Sequence, residues 1–165
     1  MKINSPLLRV RSLTHEGPGK TEGFQNRIND IRNQMPNSDL KKYGNMATAD
    51  VDIPGIKTEF NAHSKINSAT GKGASTGEFS QLKPESERIF KTYEPAASKP
   101  GQTPYNRYHD TEAKILEDIA SQIKDPNISG TIDLYTELPS CQSCSNVILE
   151  FRRMFPNIKL NIFTK

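Results

Sequence analysis

The strongest periodicity in the chain lies in residues 110–124 (DTEAKILEDIASQIK). Ile115, Leu116, Ile119 and Ile123 fall on one face at helical spacing. Asp110 or Thr111 can cap this helix, and Asp125-Pro126 stops it. A weaker stripe of Phe24, Ile28, Ile31 and Met35 at 4-3-4 spacing predicts a helix within residues 22–40, ended by Pro36 and Asn37. Residues 45–53 (NMATADVDI) have the period of a strand instead. Met46, Thr48, Asp50 and Asp52 fall on one side, and Ala47, Ala49, Val51 and Ile53 on the other. Pro54-Gly55 then turns the chain, and residues 59–66 alternate again with Phe60, Ala62, Ser64 and Ile66 on one side, which predicts an antiparallel hairpin. Residues 131–136 read as a short strand, 141–155 as a last helix and 158–163 as a final strand. There is no internal repeat.

The order is therefore helix, strand, strand, long loop, helix, strand, helix, strand. Its second half is strand–helix–strand, so those two strands are expected to be parallel, with a right-handed crossover. The fold class is α/β, a sandwich of helices around a mixed sheet.

Two stretches lack this patterning. Residues 1–20 carry Pro6, Gly17, Pro18 and Gly19 and read as a flexible N-terminal arm ahead of one domain over 21–165. Residues 67–108 form a long loop rich in Gly, Ser, Pro, Lys and Glu, with one short helix suggested after Pro84. In that loop, Lys72, Lys83, Arg88, Lys91, Lys99 and Arg107 are interleaved with Phe79, Tyr93, Tyr105 and Tyr108. Cations among aromatics can track a nucleic-acid strand, although four glutamates dilute the charge.

Composition agrees with a domain that carries such a loop. Only 33% of the 165 residues are apolar, and the mean hydropathy is −0.69. A net charge of +3 permits a nucleic-acid partner without arguing for one. No run of 18 apolar residues suggests a membrane span, and the N-terminus lacks a secretory signal. The chain is expected to be a monomer.

The candidate chemistry is concentrated in two places. Both cysteines, Cys141 and Cys144, open the last helix in LPSCQSC. A Cys-x-x-Cys at a helix start is either a redox pair or half of a metal site. The second place is Glu112, which lies three, four and seven residues before Ile115, Leu116 and Ile119 and so shares their buried face. A carboxylate aimed at a core is costly unless something there uses it. Both helices are expected to begin at one edge of the sheet, where sites form in open α/β folds. Two thiolates, one further ligand and a water make an open catalytic zinc site, and a glutamate beside that water can carry protons. A thiol–disulfide oxidoreductase would use Cys141 and Cys144 but gives Glu112 no role. A structural zinc or nucleic-acid-binding module would close the site with four protein ligands.

At these residues the chain resembles the zinc-dependent nucleobase deaminases. They carry ligand-x-Glu at the start of one helix and Pro-Cys-x-x-Cys at the start of the next. Glu112 in HDTEAKIL and Cys141 and Cys144 in LPSCQSC match that pattern. More closely, residues 40–165 resemble the deaminase toxin domains of bacterial polymorphic toxins. The resemblance implies a cytidine-deaminase-like three-layer sandwich, bound Zn²⁺, and hydrolysis of cytosine to uracil with Glu112 as the proton carrier. It also implies a secreted effector delivered into the cytoplasm of a target cell and paired with an immunity protein. The substrate is expected to be nucleic acid, with single- or double-stranded DNA ahead of RNA, and Tyr105, Arg107 and Tyr108 are expected to hold it. Two departures stand out. Ser140 separates Pro139 from Cys141, and Asp110 occupies the position where the family pattern has a histidine. His63, at the end of the second strand, is the favoured third zinc ligand, with Asp110 and His109 as alternatives. His15, in the arm, has no chemistry-bearing neighbours.

Overall fold

The computed structural model describes residues 17–35, 38–67, 79–90, 111–137 and 142–164, the side chains of 17, 18, 85 and 142–145 aside. Helix α1 spans Gly17–Asn33 and is followed by a short helix α2, Ser38–Lys42. Strands β1 (Met46–Asp52) and β2 (Glu59–His63) form the expected hairpin. Helix α3 (Thr111–Gln122), strand β3 (Gly130–Thr136), helix α4 (Gln142–Met154) and strand β4 (Ile158–Thr164) complete the order.

The sheet runs β2-β1-β3-β4. β1 is antiparallel to both of its neighbours, and β3 and β4 are parallel, as the strand–helix–strand pattern requires. Helices cover both faces of this mixed sheet, which gives the cytidine-deaminase-like α/β sandwich. The alternation in β1 divides its residues between two cores. Ala47, Ala49, Val51 and Ile53 join Phe60 and Ala62 of the hairpin against Ile115, Leu116 and Ile119 of α3 and Val147, Ile148 and Phe151 of α4. Met46 joins Phe24, Ile28 and Met35 on the opposite face. Burying each of these large side chains contributes on the order of 1.5–3 kcal/mol, before entropy is counted.

The polar side of β1 is buried at Met46 and Thr48, half-buried at Asp50 and exposed only at Asp52. It faces α1, where Arg27 pairs with Asp50 at 2.8 Å and donates to Thr48 at 3.0 Å. Phe24 stacks on Tyr135 at 5.8 Å and meets Phe163 edge-on at 6.0 Å. Lys20 reaches Asp133 at 3.0 Å. The helix begins at Gly17, so the last four residues of the expected arm are helical. Pro18 in its first turn explains this, because the missing N–H would have had no intrahelical partner there.

Part of the long loop is a strap rather than free chain. Ser80 N–H donates to Asn61 O at 2.7 Å, and Phe90 is fully buried. The Glu117 carboxylate of α3 accepts the amides of Ile89 at 2.7 Å and Phe90 at 3.2 Å. The helix suggested after Pro84 is a single 3₁₀ turn, Glu85–Glu87.

Candidate active site

Strand polarity sets where the site forms. β3 ends at Thr136, β1 begins beside it at Met46, and β2 ends opposite Met46 at His63. The C-termini of α3 and α4 lead to the starts of β3 and β4, which are parallel, so both helices begin at the edge where β3 ends. α3 and α4 also pack against each other. The expectation that the two helix starts share one sheet edge is met at the level of the backbone.

Glu112 is in the first turn of α3 and only 3% exposed. Its Oε1 accepts the hydroxyl of Thr111 at 2.9 Å. The Thr111 oxygen in turn accepts Asn45 Nδ2 at 3.0 Å, and the same amide donates to Thr136 Oγ1 at 3.2 Å. The Thr111 proton is committed to Glu112, so Asn45 must present its NH₂ to Thr111, which fixes the orientation of the amide. Among the described residues, Asn45 Oδ1 is buried with no hydrogen-bond partner. The backbone of Asn45 is held by Ser64, whose hydroxyl accepts its N–H at 3.0 Å and whose N–H donates to its carbonyl at 2.9 Å. The chain start of β1, the end of β3 and the start of α3 are thus joined at the carboxylate.

Arg32 makes a second node at this edge. Its guanidinium donates to the carbonyls of Leu40 at 3.1 Å, Lys41 at 3.2 Å and Gly44 at 2.8 Å. It also pairs with Glu137 at 2.6 Å, and Glu137 Oε1 accepts the Met46 N–H at 2.8 Å. Glu137 is the last described residue before the segment that carries Cys141.

His63 is fully buried. Its Nδ1 accepts the Lys65 N–H at 3.0 Å, and Nε2 lies 3.2 Å from Leu40 O, so the ring is neutral with its proton on Nε2. Burial lowers its pKa below the usual 6.5, with the charges of Arg32 and Lys114 acting in the same direction. Gly44 makes room for it. A Cβ there would come within 2.4 Å of His63 Cε1, and its φ of 87° also favours glycine. Lys114, 1% exposed, donates to His63 O at 2.9 Å, Ile66 O at 3.1 Å and Asn67 Oδ1 at 2.6 Å.

Cys141, Asp110, His109, Tyr105, Arg107, Tyr108 and His15 lie outside the described residues, and of Cys144 only the helical backbone is described. Among the described residues no three His, Cys, Asp or Glu side chains cluster as a metal site. No helix among them is long and apolar enough to cross a membrane. Asn45, Thr136 and Arg32 were not singled out by sequence pattern. Thr111 appeared there only as a helix cap, and here its side chain serves the carboxylate.

No curated protein matches the chain. A family of known proteins does, over residues 28–165, a span that contains the sheet, Glu112 and both cysteines. With Glu112 buried at the start of α3 and the Cys-x-x-Cys helix starting at the same edge, the chain belongs to the Toxin-deaminase family, the BURPS668_1122 family of deaminases, and is a deaminase toxin domain.

Proposed function

We propose that this domain is a zinc-dependent hydrolytic deaminase that converts cytosine to uracil in DNA, acting as an effector delivered into competing bacterial cells and neutralised by a dedicated immunity protein. The observation that carries the reading is the buried carboxylate of Glu112, held by the Thr111 hydroxyl at 2.9 Å at the edge where β3 leads into the cysteine segment.

The donor set suits zinc. Cys141 and Cys144 lie at the start of α4, where the helix dipole favours thiolates. Both His63 nitrogens are engaged within the fold, so the third ligand in this reading comes from Asp110 or His109, just ahead of Glu112, rather than from His63. When bound, zinc supplies a Lewis acid that makes water acidic enough to deprotonate near neutral pH.

Glu112 takes the proton as water oxygen adds to C4 of the base. It gives that proton to the ring nitrogen, then carries the second proton from the new C4 hydroxyl to N4, so that the C4–N4 bond breaks with release of ammonia and the C4 carbonyl of uracil forms. Thr111 keeps one carboxylate oxygen fixed while this happens. In polymeric DNA the base must leave the stack, and Tyr105, Arg107 and Tyr108 are the residues proposed to hold it. A thiol–disulfide exchange enzyme would leave the buried Glu112 without a use.

The test is Glu112→Gln in the full chain, assayed on cytosine-containing oligonucleotides by uracil excision and strand cleavage. Activity should vanish while the fold and bound zinc remain. Uracil formation at an undiminished rate would defeat the assignment of Glu112.

A further inference from the structure

The turn that precedes β1 is built differently from an ordinary solvated loop. Lys41 and Lys42 close α2, and Tyr43 follows them with 59% of its surface exposed, the most of any large apolar side chain described. Lys65 Nζ, from the end of the hairpin, sits 5.7 Å from the centre of the Tyr43 ring. Beneath this group, Arg32 holds the carbonyls of Leu40, Lys41 and Gly44, and Tyr43 N–H donates to Asp39 O at 2.8 Å. An exposed aromatic ring and three exposed lysines are therefore carried on a backbone fixed from the inside. The position is equally specific. Asn45, two residues after Tyr43, reaches Thr111, and Thr111 touches Glu112.

We infer that Lys41, Lys42, Tyr43 and Lys65 form a strand-binding rim that takes single-stranded nucleic acid beside the base being deaminated, an inference that rests on the deaminase reading of Glu112. The lysines meet backbone phosphates, and the Tyr43 ring stacks on an unpaired base next to the target. A free nucleoside has neither a neighbouring base nor a bridging phosphate, so the rim has a use only with a polymer. Asp39, in the first turn of α2, and Glu137 are acidic groups near the turn; Glu137 is already paired with Arg32, and the three lysines outnumber Asp39. An acidic partner protein would engage the lysines, but it would not require an aromatic ring able to stack on a base.

The experiment measures binding of a fluorescent single-stranded oligonucleotide to the full chain carrying Glu112→Ala, so that turnover does not intervene. Adding Tyr43→Ala should weaken binding about tenfold or more, and Tyr43→Phe should preserve it, because stacking needs the ring and not the hydroxyl. Replacing Lys41, Lys42 and Lys65 together with Ala should lower the slope of log affinity against log salt by about 2. With Glu112 intact, Tyr43→Ala should slow deamination of the oligonucleotide and leave any turnover of free cytidine unchanged. Unaltered oligonucleotide binding by Tyr43→Ala, or an unaltered salt slope in the triple lysine variant, overturns the rim. If the parent chain deaminates nothing, the deaminase reading fails, and the binding comparison still decides the rim by itself. Absence of oligonucleotide binding by the parent overturns it as well.

Discussion

Thr111 and Glu112 are neighbours in the chain, and the hydroxyl of the first donates to the carboxylate of the second across 2.9 Å. The bond depends on a third residue, because Asn45 supplies the N–H that occupies the other side of the Thr111 oxygen. In the proposed mechanism Glu112 accepts and releases a proton from one orientation, and this pair sets it. Thr111→Val keeps the shape and removes the donor. Its expected effect is a loss of about tenfold to a hundredfold in kcat, corresponding to one hydrogen bond to a charged group. The acid limb of kcat/KM should also move to higher pH, since the charged form loses a donor. Thr111→Ser should restore both. A uniform loss of folded protein in Thr111→Val, with an unchanged profile for what remains, would reduce Thr111 to a packing residue.

Arg32 and Glu137 are the next pair to separate by mutation. Their side chains are 13% and 23% exposed, and the guanidinium also serves three or more carbonyls. Arg32→Ala leaves those acceptors and Glu137 without it, and should destabilise the fold by about 2–4 kcal/mol. Glu137→Gln keeps an acceptor for the Met46 N–H and should cost less. The double variant should show coupling of about 0.5–3 kcal/mol, read from urea denaturation of all four proteins. Additive effects would mean that the pair contributes nothing beyond its separate hydrogen bonds.

These residues mark where the sequence was readable and where it was not. Ile115, Leu116 and Ile119 announced α3 by spacing alone, and Glu112 followed from its place on that stripe. The alternation of β1 was equally plain, yet its polar side faces α1, because Arg27 crosses to Asp50 and Thr48. Lys114 and Glu117 would read as an exposed pair one turn apart. Both are buried, since the 79–90 strap and the hairpin bring backbone groups to them. Asn45 and Thr111 are 66 residues apart, and Arg32 and Glu137 are 105 apart. Polar contacts at such separations leave no local period, so only the assembled sheet edge reveals them.

His63 predicts a specific dependence of stability on pH. Burial lowers its folded-state pKa below 6.5, and the charges of Arg32 and Lys114 add to this, while the Leu40 carbonyl and Glu137 oppose it. The unfolded chain therefore binds a proton at this site before the folded chain does. Stability is at its full value above about pH 6.5 and falls as pH drops toward the folded-state pKa, by up to about 1.4 kcal/mol per pH unit. Carboxylates also titrate in acid, so the informative quantity is a difference. His63→Gln should be less stable at neutral pH but should show a shallower decline in Tm between about pH 7 and 5. Parallel declines in the two proteins would place the titration elsewhere.

The identity of the third zinc ligand gives the last prediction. In the zinc reading proposed above, Cys141 and Cys144 supply two thiolates, and an open catalytic site needs one more protein donor. His63 could serve only by giving up the Lys65 amide at Nδ1 or the Leu40 carbonyl at Nε2; the first loss would take the acceptor from the Lys65 N–H, whereas Leu40 O would keep its bond from Arg32. Asp110 and His109 immediately precede Thr111 and Glu112 in the chain and lie outside the described residues. Elemental analysis of the purified chain should find about one zinc per molecule, lost in Cys141→Ser and Cys144→Ser. Asp110→Ala or His109→Ala should lower the zinc content, Glu112→Gln should not, and His63→Gln should retain zinc at pH 7. A chelator should abolish activity in the parent, and added zinc should restore it. Loss of zinc from a folded His63→Gln, with retention in both the Asp110 and His109 variants, would return the ligand to the end of β2 and require the Lys65 or Leu40 contact to open when metal binds.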